Sequence, residues 1–388
     1  MAERKTIRLG SVVRTNVSTY SEKEGWSFVN YLDTGNITQD TISEIQRINV
    51  GTDKLPSRAR RKVQIGNIIY STVRPNQLHY GFIKSQPDNF LVSTGFAVID
   101  VNEKESVPEY IYYFLTHRDV TERLQAIAEQ STSAYPSIKP SDIEDLTIDL
   151  PPIEEQRKIV SLLKMLDSKI KQNTEINNNL LLQAQAIFSK YYDASIDKQS
   201  FTSLIRVLGG GTPKTGNPEY WNGAIPFFTP KDVGEPYTFH TEKNLTEAGL
   251  NNCNSRLYPI NTSFVTARGT VGKVSLAGKP MAMNQSCYAL ASETIDPILV
   301  YFYVLKAVSS LKHKASGAVF DAIVTRDFDT EVINVLNSDD SKAVLEVIAP
   351  MMNAIHSNTE ENIRLSSLRN TLLPRLMSGE LDVSDIEL

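Results

Sequence analysis

The sequence IEEQRKIVSLLKMLDSKIKQNTEINNNLLLQAQAIFSKYY, residues 153–192, contains no glycine or proline and carries apolar or asparagine residues at alternating steps of four and three. This spacing is the a/d pattern of a heptad repeat, which places one stripe of side chains along an α-helix. A helix of this length would extend roughly 60 Å, at about 1.5 Å per residue. The segment therefore predicts a long helix whose stripe must be buried against a partner.

A second segment of the chain carries the same pattern. The motif NTEIN at 173–177 returns as NTEEN at 358–362, an offset of 185 residues. The heptad positions around the first motif keep matching at this offset, which predicts a second long helix. The matched positions are Ile159, Leu163, Leu166, Ile170, Asn173, Asn177, Leu180, Ala184, Ile187 and Tyr191, followed at the offset by Val344, Ile348, Met351, Ile355, Asn358, Asn362, Leu365, Arg369, Leu372 and Leu376.

The simplest partner for each helix is the other one. In an antiparallel pair every a/d residue faces an a/d residue, with Asn173 opposite Asn362 and Asn177 opposite Asn358. A buried asparagine costs stability but can fix the register of two helices. The alternative is that these four asparagines form a half-exposed polar seam. The same antiparallel alignment also pairs Leu163 with Leu372, Leu166 with Arg369 and Leu180 with Ile355.

The sequence before each helix also repeats. GNIIYSTVR ends at Arg74 and INTSFVTAR ends at Arg268; VPEYIYYFL (107–115) matches DPILVYFYV (296–304), and TSAYPSIKPSDI (132–143) matches SGAVFDAIVTRDF (316–328). Apolar runs bounded by turn residues predict strands at 67–73, 90–101, 263–267 and 287–291, and short helices at 109–116 and 297–306. The prediction is an α+β protein of two similar mixed α/β globules, separated by two long antiparallel coiled-coil helices with a pseudo-twofold repeat. The predicted boundaries are a first globule at 1–150, a helix at 151–192, a linker and second globule at 193–337, a helix at 338–378 and an acidic tail at 379–388.

Composition excludes several classes of protein. With 388 residues, 41% hydrophobic and 22% charged, the sequence is typical of a soluble chain with more than one domain. Cys253 and Cys287 are the only cysteines and the five histidines are scattered, so we expect no disulfide scaffold, no metal site and no cofactor. No long apolar run or signal peptide is present, which predicts a cytoplasmic protein without membrane contact. A net charge of −5 excludes a uniformly basic surface but permits local basic patches.

Three stretches resemble the specificity subunits of type I restriction–modification systems. LPPIEEQRKIVSLLKMLDSKI (150–170) resembles their central conserved region, LGGGTPKTGNPEYWNGAIPFFTPKDV (208–233) the start of a target-recognition domain, and LRNTLLPRLMSGEL (368–381) their distal conserved region. The resemblance implies two target-recognition domains, each recognising one half of a split double-stranded DNA sequence. It also implies that the helices set the gap and dock modification (methyltransferase) subunits, two of them, and that restriction (endonuclease/translocase) subunits join the complex.

Basic residues are the candidates for DNA contacts, because lysine and arginine neutralise phosphates and arginine can bind guanine with two hydrogen bonds. Arg74 and Arg268 stand out because each ends an equivalent predicted strand before a loop. For either arginine the alternative is a salt bridge, and for any charge run it is a solvated face. Tyr220, Trp221 and Tyr237 are either sugar or thymine contacts or core residues. The candidates for DNA binding are Arg58, Arg60, Arg61, Lys62, Arg74, Lys214, Lys231, Arg268, Lys273, Lys312 and Lys314.

No catalytic motif is complete. NPEY at 217–220 resembles an adenine methyltransferase motif, but no glycine-rich cofactor strand precedes it. Gly272 and Lys273 lack the first glycine and the Ser/Thr of a P-loop. We therefore expect a non-catalytic DNA-specificity subunit. The alternatives are an enzyme fused to a coiled coil and a two-headed scaffold or adaptor that recognises no DNA sequence.

Overall fold

The computed structural model describes residues 4–131, 135–234, 236–314 and 322–383. The first long helix, α4, spans Ile153–Ala194, and the second, α9, spans Ser338–Ser378. The elements before α4 are β1 (Lys5–Arg8), β2 (Val13–Thr15), β3 (Phe28–Leu32), β4 (Ile37–Thr38), β5 (Thr41–Ile42), β6 (Gln46–Asn49), β7 (Ala59–Lys62), β8 (Ile68–Ser71), β9 (Tyr80–Phe82), β10 (Phe90–Ser93), β11 (Phe96–Val101), α1 (Pro108–Leu115), α2 (Arg118–Glu129), α3 (Pro140–Glu144) and β12 (Thr147–Leu150). Those between α4 and α9 are β13 (Lys198–Ser200), α5 (Phe201–Leu204), β14 (Arg206–Gly209), β15 (Trp221–Phe228), β16 (Tyr237–Thr238), β17 (Asn244–Leu245), α6 (Glu247–Asn251), β18 (Ser263–Thr266), β19 (Val274–Ala277), β20 (Ala282–Met283), β21 (Cys287–Ala291), α7 (Pro297–Lys314), α8 (Thr325–Asp329) and β22 (Val332–Asn334).

The chain divides into two compact units. One consists of Met1–Ser168 with Leu365–Leu388, and the other of Lys169–Arg364. Each unit therefore contains one globule together with part of both long helices. The predicted strands and helices are present, but the apolar run at 90–101 forms two strands, β10 and β11, rather than one, and α7 continues to Lys314, beyond the predicted end at 306.

The two globules share most of their sheet topology, with β7 present in the first alone and β16 in the second alone among the described strands. In the first, strands are ordered β2-β11-β8-β9 and β6-β3-β10-β7; in the second, β14-β21-β18-β19-β16 and β17-β15-β20. The senses of pairing also match: β3 is parallel to β10 as β15 is to β20, and β8 is antiparallel to β11 as β18 is to β21. The small sheets β1-β12 and β13-β22 correspond as well. The predicted α+β fold with an internal repeat is thus confirmed.

The long helices run antiparallel within each unit. In the first unit Arg369 of α9 donates to Asp167 of α4 (Nη1–Oδ1 2.7 Å), and in the second Asn362 lies against Asn173. Ile159, Leu163, Ala184, Val344, Ile348, Ile355 and Leu376 are buried, as their heptad positions predict.

Burial departs from the strict heptad at three positions. Phe188, Met352 and Leu373 are fully or nearly buried, whereas the heptad residues immediately before them, at 187, 351 and 372, are only partly buried. The heptad residues Ile355 and Leu376 that follow two of these positions remain buried, so the register itself is unchanged. At Phe188 the added burial comes from the second globule, because Phe302 and Tyr303 pack on its ring.

Polar and aromatic contacts hold the helices to the globules. In the first unit Gln156, fully buried at the start of α4, accepts from the Ser106 hydroxyl (2.9 Å) and the Val107 N–H (2.8 Å). Arg4 donates to the carbonyls of Leu376 (3.1 Å) and Met377 (2.6 Å) at the end of α9. In the second unit the ring of Phe188 stacks on Phe302 at 5.3 Å, and His356 hydrogen-bonds through Nε2 to the Gly278 carbonyl (2.8 Å). No helix in the described parts of the chain has the length and apolarity needed to cross a lipid bilayer.

Candidate nucleic-acid interface

Two exposed arginines follow topologically equivalent strands. Arg74 lies three residues after β8, and Arg268 lies two residues after β18. In both globules a later segment of the chain pairs with this strand end: Ile138 N–H donates to the Thr72 carbonyl (2.8 Å), and Ile323 N–H donates to the Ala267 carbonyl (2.9 Å). The sequence repeat therefore places one arginine at the same corner of each globule.

The backbone of Arg74 is held in an uncommon conformation. Its φ of 48° lies in the left-handed region, immediately before Pro75. For a residue other than glycine this conformation costs on the order of 1–3 kcal/mol. Hydrogen bonds offset the cost: Arg74 N–H donates to the Pro136 carbonyl (2.9 Å), and the Arg74 carbonyl accepts from Gln77 N–H (2.9 Å). In the loop after Arg74, the Asn76 N–H donates to the side-chain oxygen of Gln125 on helix α2 (3.2 Å).

The Arg74 guanidinium lies over an aromatic ring. Its Cζ is 5.2 Å from the ring centroid of Tyr135, a side chain that is 61% exposed. No ion pair joins Arg74 to a carboxylate within residues 4–131, 135–234, 236–314 and 322–383. The sequence analysis did not single out Tyr135, although it lies in the repeated segment 132–143.

The Arg268 loop connects β18 to β19. Gly269 and Gly272 have φ of +81° and +73°, and Gly272 N–H donates to the Thr266 carbonyl (2.8 Å). A β-carbon at Gly272 would overlap Cε of Lys312, so the lysine at the end of α7 lies directly against this loop. Burial, and then the nearby charge of Lys273, lower the pKa of Lys312. Arg268, Lys273 and Lys312 thus belong to one region of the second globule.

The basic run of the first globule begins at Arg58 and continues along β7, a strand with no counterpart among the strands described in the second globule. Arg60 pairs with Glu22 (3.2 Å), and Lys62 pairs with Glu24 and lies 5.1 Å from the ring centroid of Trp26. The hydrogen bond from Lys62 lowers the pKa of Glu24.

The other two members of that run differ in exposure. Arg61 is half-buried with its Nε unpartnered, and burial lowers its pKa. Arg58 is exposed.

The remaining lysines of the second globule differ in their surroundings. Lys214 is exposed, and Lys231 pairs loosely with Glu242 (3.6 Å). Lys314 donates to the carboxylate of Glu331 (2.5 Å), whose side chain is only 3% exposed. A buried carboxylate needs a compensating positive charge, and Lys314 supplies that charge to Glu331 inside the protein.

Of the three candidate aromatics, Tyr237 is buried against His356, and Trp221 packs on Phe227 at 5.5 Å. The core alternative therefore applies to these two. Tyr220 is half-exposed.

The four asparagines lie together in the helix pair. Asn173 Nδ2 donates to Asn362 Oδ1 (2.9 Å), and Asn358 Nδ2 donates to Asn177 Oδ1 (2.9 Å). Asn173 also donates to Glu361 (2.6 Å), and this hydrogen bond lowers the pKa of that carboxyl. Asn173 and Asn177 are buried, at 1% and 9% exposed.

Comparison with known proteins adds to this geometry. The family model of the type I restriction modification DNA specificity domain matches residues 3–182 and 199–365. The chain belongs to this family. Each matched range contains one globule, so the internal repeat corresponds to two DNA specificity domains.

Individual proteins similar to this chain are also specificity subunits. The specificity subunit of the type I restriction enzyme HindI from Haemophilus influenzae is 25% identical in an alignment 475 positions long, which covers 98% of this chain and 100% of that protein. The EcoR124I/EcoR124II specificity subunit from Escherichia coli is 22% identical, with 70% of each chain covered. The crystal structure of a type I S subunit from M. genitalium has the same fold, with a TM-score of 0.58, 13% identity, and 97% and 96% of the chains covered.

Proposed function

We propose that this specificity-family chain recognises a bipartite double-stranded DNA sequence, with each globule contacting one half-site. The observation that carries the proposal is the pair Arg74 and Arg268, exposed arginines after equivalent strands of two repeated globules. Side chains on loops held by a rigid scaffold suit the recognition of base edges.

The chemistry belongs to partner subunits under this proposal. Two modification (methyltransferase) subunits and the restriction (endonuclease/translocase) subunits act on the DNA that this chain selects, and the chain itself contributes no catalytic group. The names of its relatives, which are specificity subunits of type I restriction enzymes, support this division.

The other basic candidates fall into three classes as phosphate contacts. Arg58 and Lys214 are the first choices because they are exposed, and the Lys273–Lys312 region is grouped with them because it adjoins the Arg268 loop. Arg60, Lys62 and Lys231 can exchange their carboxylates for phosphates, because an exposed ion pair contributes only about 0–1 kcal/mol. Arg61 and Lys314 are the poorest choices, since one is partly buried and the other compensates Glu331.

The test is DNA binding by the chain together with its modification subunit, measured on a randomised library at two salt concentrations. We expect Arg74→Ala to relax base preference in one half-site and Arg268→Ala in the other, each by about 1–3 kcal/mol at the affected base pair. Matched controls are Arg118→Ala and Arg206→Ala, which remove exposed arginines paired with Glu122 (2.6 Å) and Glu293 (2.6 Å).

Two results would contradict the proposal. Equal weakening on every sequence by both variants would make Arg74 and Arg268 phosphate contacts rather than base contacts. Binding that shows neither sequence preference nor salt dependence would instead favour the scaffold or adaptor alternative.

A further inference from the structure

The contact between Arg74 and Tyr135 is a cation–π contact. A cation within about 6 Å of a ring centroid is attracted to the face of the ring, and here the distance from Arg74 Cζ to the centroid is 5.2 Å. The ring is not a carboxylate, so this contact restrains the side chain without an ion pair that a base would have to displace. The N–H donors of the guanidinium are the groups that bind a base.

The backbone holds the two residues together. Pro136, the neighbour of Tyr135, accepts the N–H of Arg74 (2.9 Å), and Val73 forms an antiparallel bridge with Ser137. The ring and the arginine thus come from adjacent, hydrogen-bonded segments, and Tyr135 remains 61% exposed.

We infer that Tyr135 is a positioning residue for Arg74, and that the pair recognises a guanine in the half-site bound by the first globule. A planar guanidinium that is restrained in place can donate two parallel hydrogen bonds to guanine O6 and N7, the acceptor pair that this base presents in the major groove. The inference rests on the proposed function, because it assigns a base to the same arginine.

The experiment measures library binding by the full chain with its modification subunit, for Arg74→Ala, Arg74→Lys, Tyr135→Leu, Tyr135→Phe and the double variant Arg74→Ala/Tyr135→Leu. Arg74→Ala is expected to abolish the preference for guanine at one position, a change of about 5- to 150-fold. Tyr135→Leu is expected to lower the preference at that same position by about two- to fivefold. Tyr135→Phe keeps the ring and should retain the preference.

Two further variants separate positioning from direct contact. Arg74→Lys keeps the charge but loses the planar fork, so overall affinity should persist while the guanine preference falls. In the Arg74→Ala background, Tyr135→Leu should have no additional effect, because the side chain that it positions is gone.

Each contrary outcome has a distinct meaning. If Arg74→Ala changes no base position, the proposed function fails at this residue. If Arg74→Ala relaxes a position but Tyr135→Leu leaves it unchanged, only the positioning inference is overturned. An effect of Tyr135→Leu that persists without Arg74 would show that the tyrosine contacts DNA itself, and a relaxed position other than guanine would overturn the assignment of the base.

Discussion

Removing one asparagine of the Asn177–Asn358 pair is expected to destabilise the Lys169–Arg364 unit more than removing both. Asn358 donates to Asn177 Oδ1 (2.9 Å), and Asn177 is only 9% exposed. Asn358→Ala leaves that buried oxygen without its donor, which costs about 1–3 kcal/mol. Replacing both residues by leucine removes donor and acceptor together and is expected to be nearly neutral or stabilising.

The magnitude follows from a double-mutant cycle with leucine at both positions. The coupling free energy between contacting residues of this kind is about 0.5–3 kcal/mol. Because the chain has two compact units, unfolding need not be two-state. Hydrogen exchange of the α4 and α9 amides near the pair measures the opening free energy of this region directly. Ser357→Ala, an exposed position on the same helix, is the matched control.

A loss below about 0.5 kcal/mol for Asn358→Ala, or additive costs for the two leucines, would refute the reasoning. We further propose that the four asparagines fix the register of α4 and α9. A shift by one heptad would place asparagine amides against other a/d residues, most of them apolar, and the leucine variants would lose this penalty. Cross-linking of cysteines introduced on the two helices should then detect more than one register.

Three other changes test the packing and electrostatics of the units. Arg4→Ala removes hydrogen bonds to the last carbonyls of α9 (2.6 and 3.1 Å) and should cost about 2 kcal/mol of unfolding free energy in chemical denaturation; an unchanged midpoint would contradict this. Lys314→Met removes the ion-pair partner of the buried Glu331 carboxylate and should destabilise the second unit by about 1–3 kcal/mol. Adding Glu331→Gln to the same chain should restore most of the lost stability. The control Lys214→Met should have no effect on stability. Burial raises the pKa of the Cys287 thiol to about 12 from 9.0, so between these pH values the unfolded chain binds fewer protons than the folded chain. The contribution of the neutral thiol to the free energy of unfolding is therefore complete below pH 9 and is lost as pH rises toward 12. Stability should fall over this range, and the slope should be smaller in Cys287→Ala.

Sequence alone predicted the features that depend on local periodicity. The heptad register placed Asn173 opposite Asn362, and the structure has them hydrogen-bonded, because both positions follow from the regular geometry of an α-helix. The burial of Phe188 was missed, because its ring packs on Phe302, a residue distant in sequence, and heptad spacing does not predict that contact.

Features that depend on contacts between residues distant in sequence could not be predicted from the sequence. Arg60 is 38 residues from Glu22 in sequence, so its ion pair depends on how the loop before β3 folds back on β7. Tyr135 is a lone aromatic residue in a loop, and no spacing rule links it to Arg74. For the same reason the basic run 58–62 appeared uniform in sequence although its four cations differ in burial and partners.

The central claim is that the two globules recognise separate halves of one DNA sequence. Its most direct test is methylation-aware sequencing of DNA from cells that express the modification subunit with the wild-type chain, with Arg74→Ala, with Arg268→Ala, or with no specificity chain. The account predicts methylation in a split motif only when the chain is present, with degeneracy in one half for Arg74→Ala and in the other half for Arg268→Ala. Methylation that is independent of the chain, or one and the same half altered by both substitutions, would contradict it.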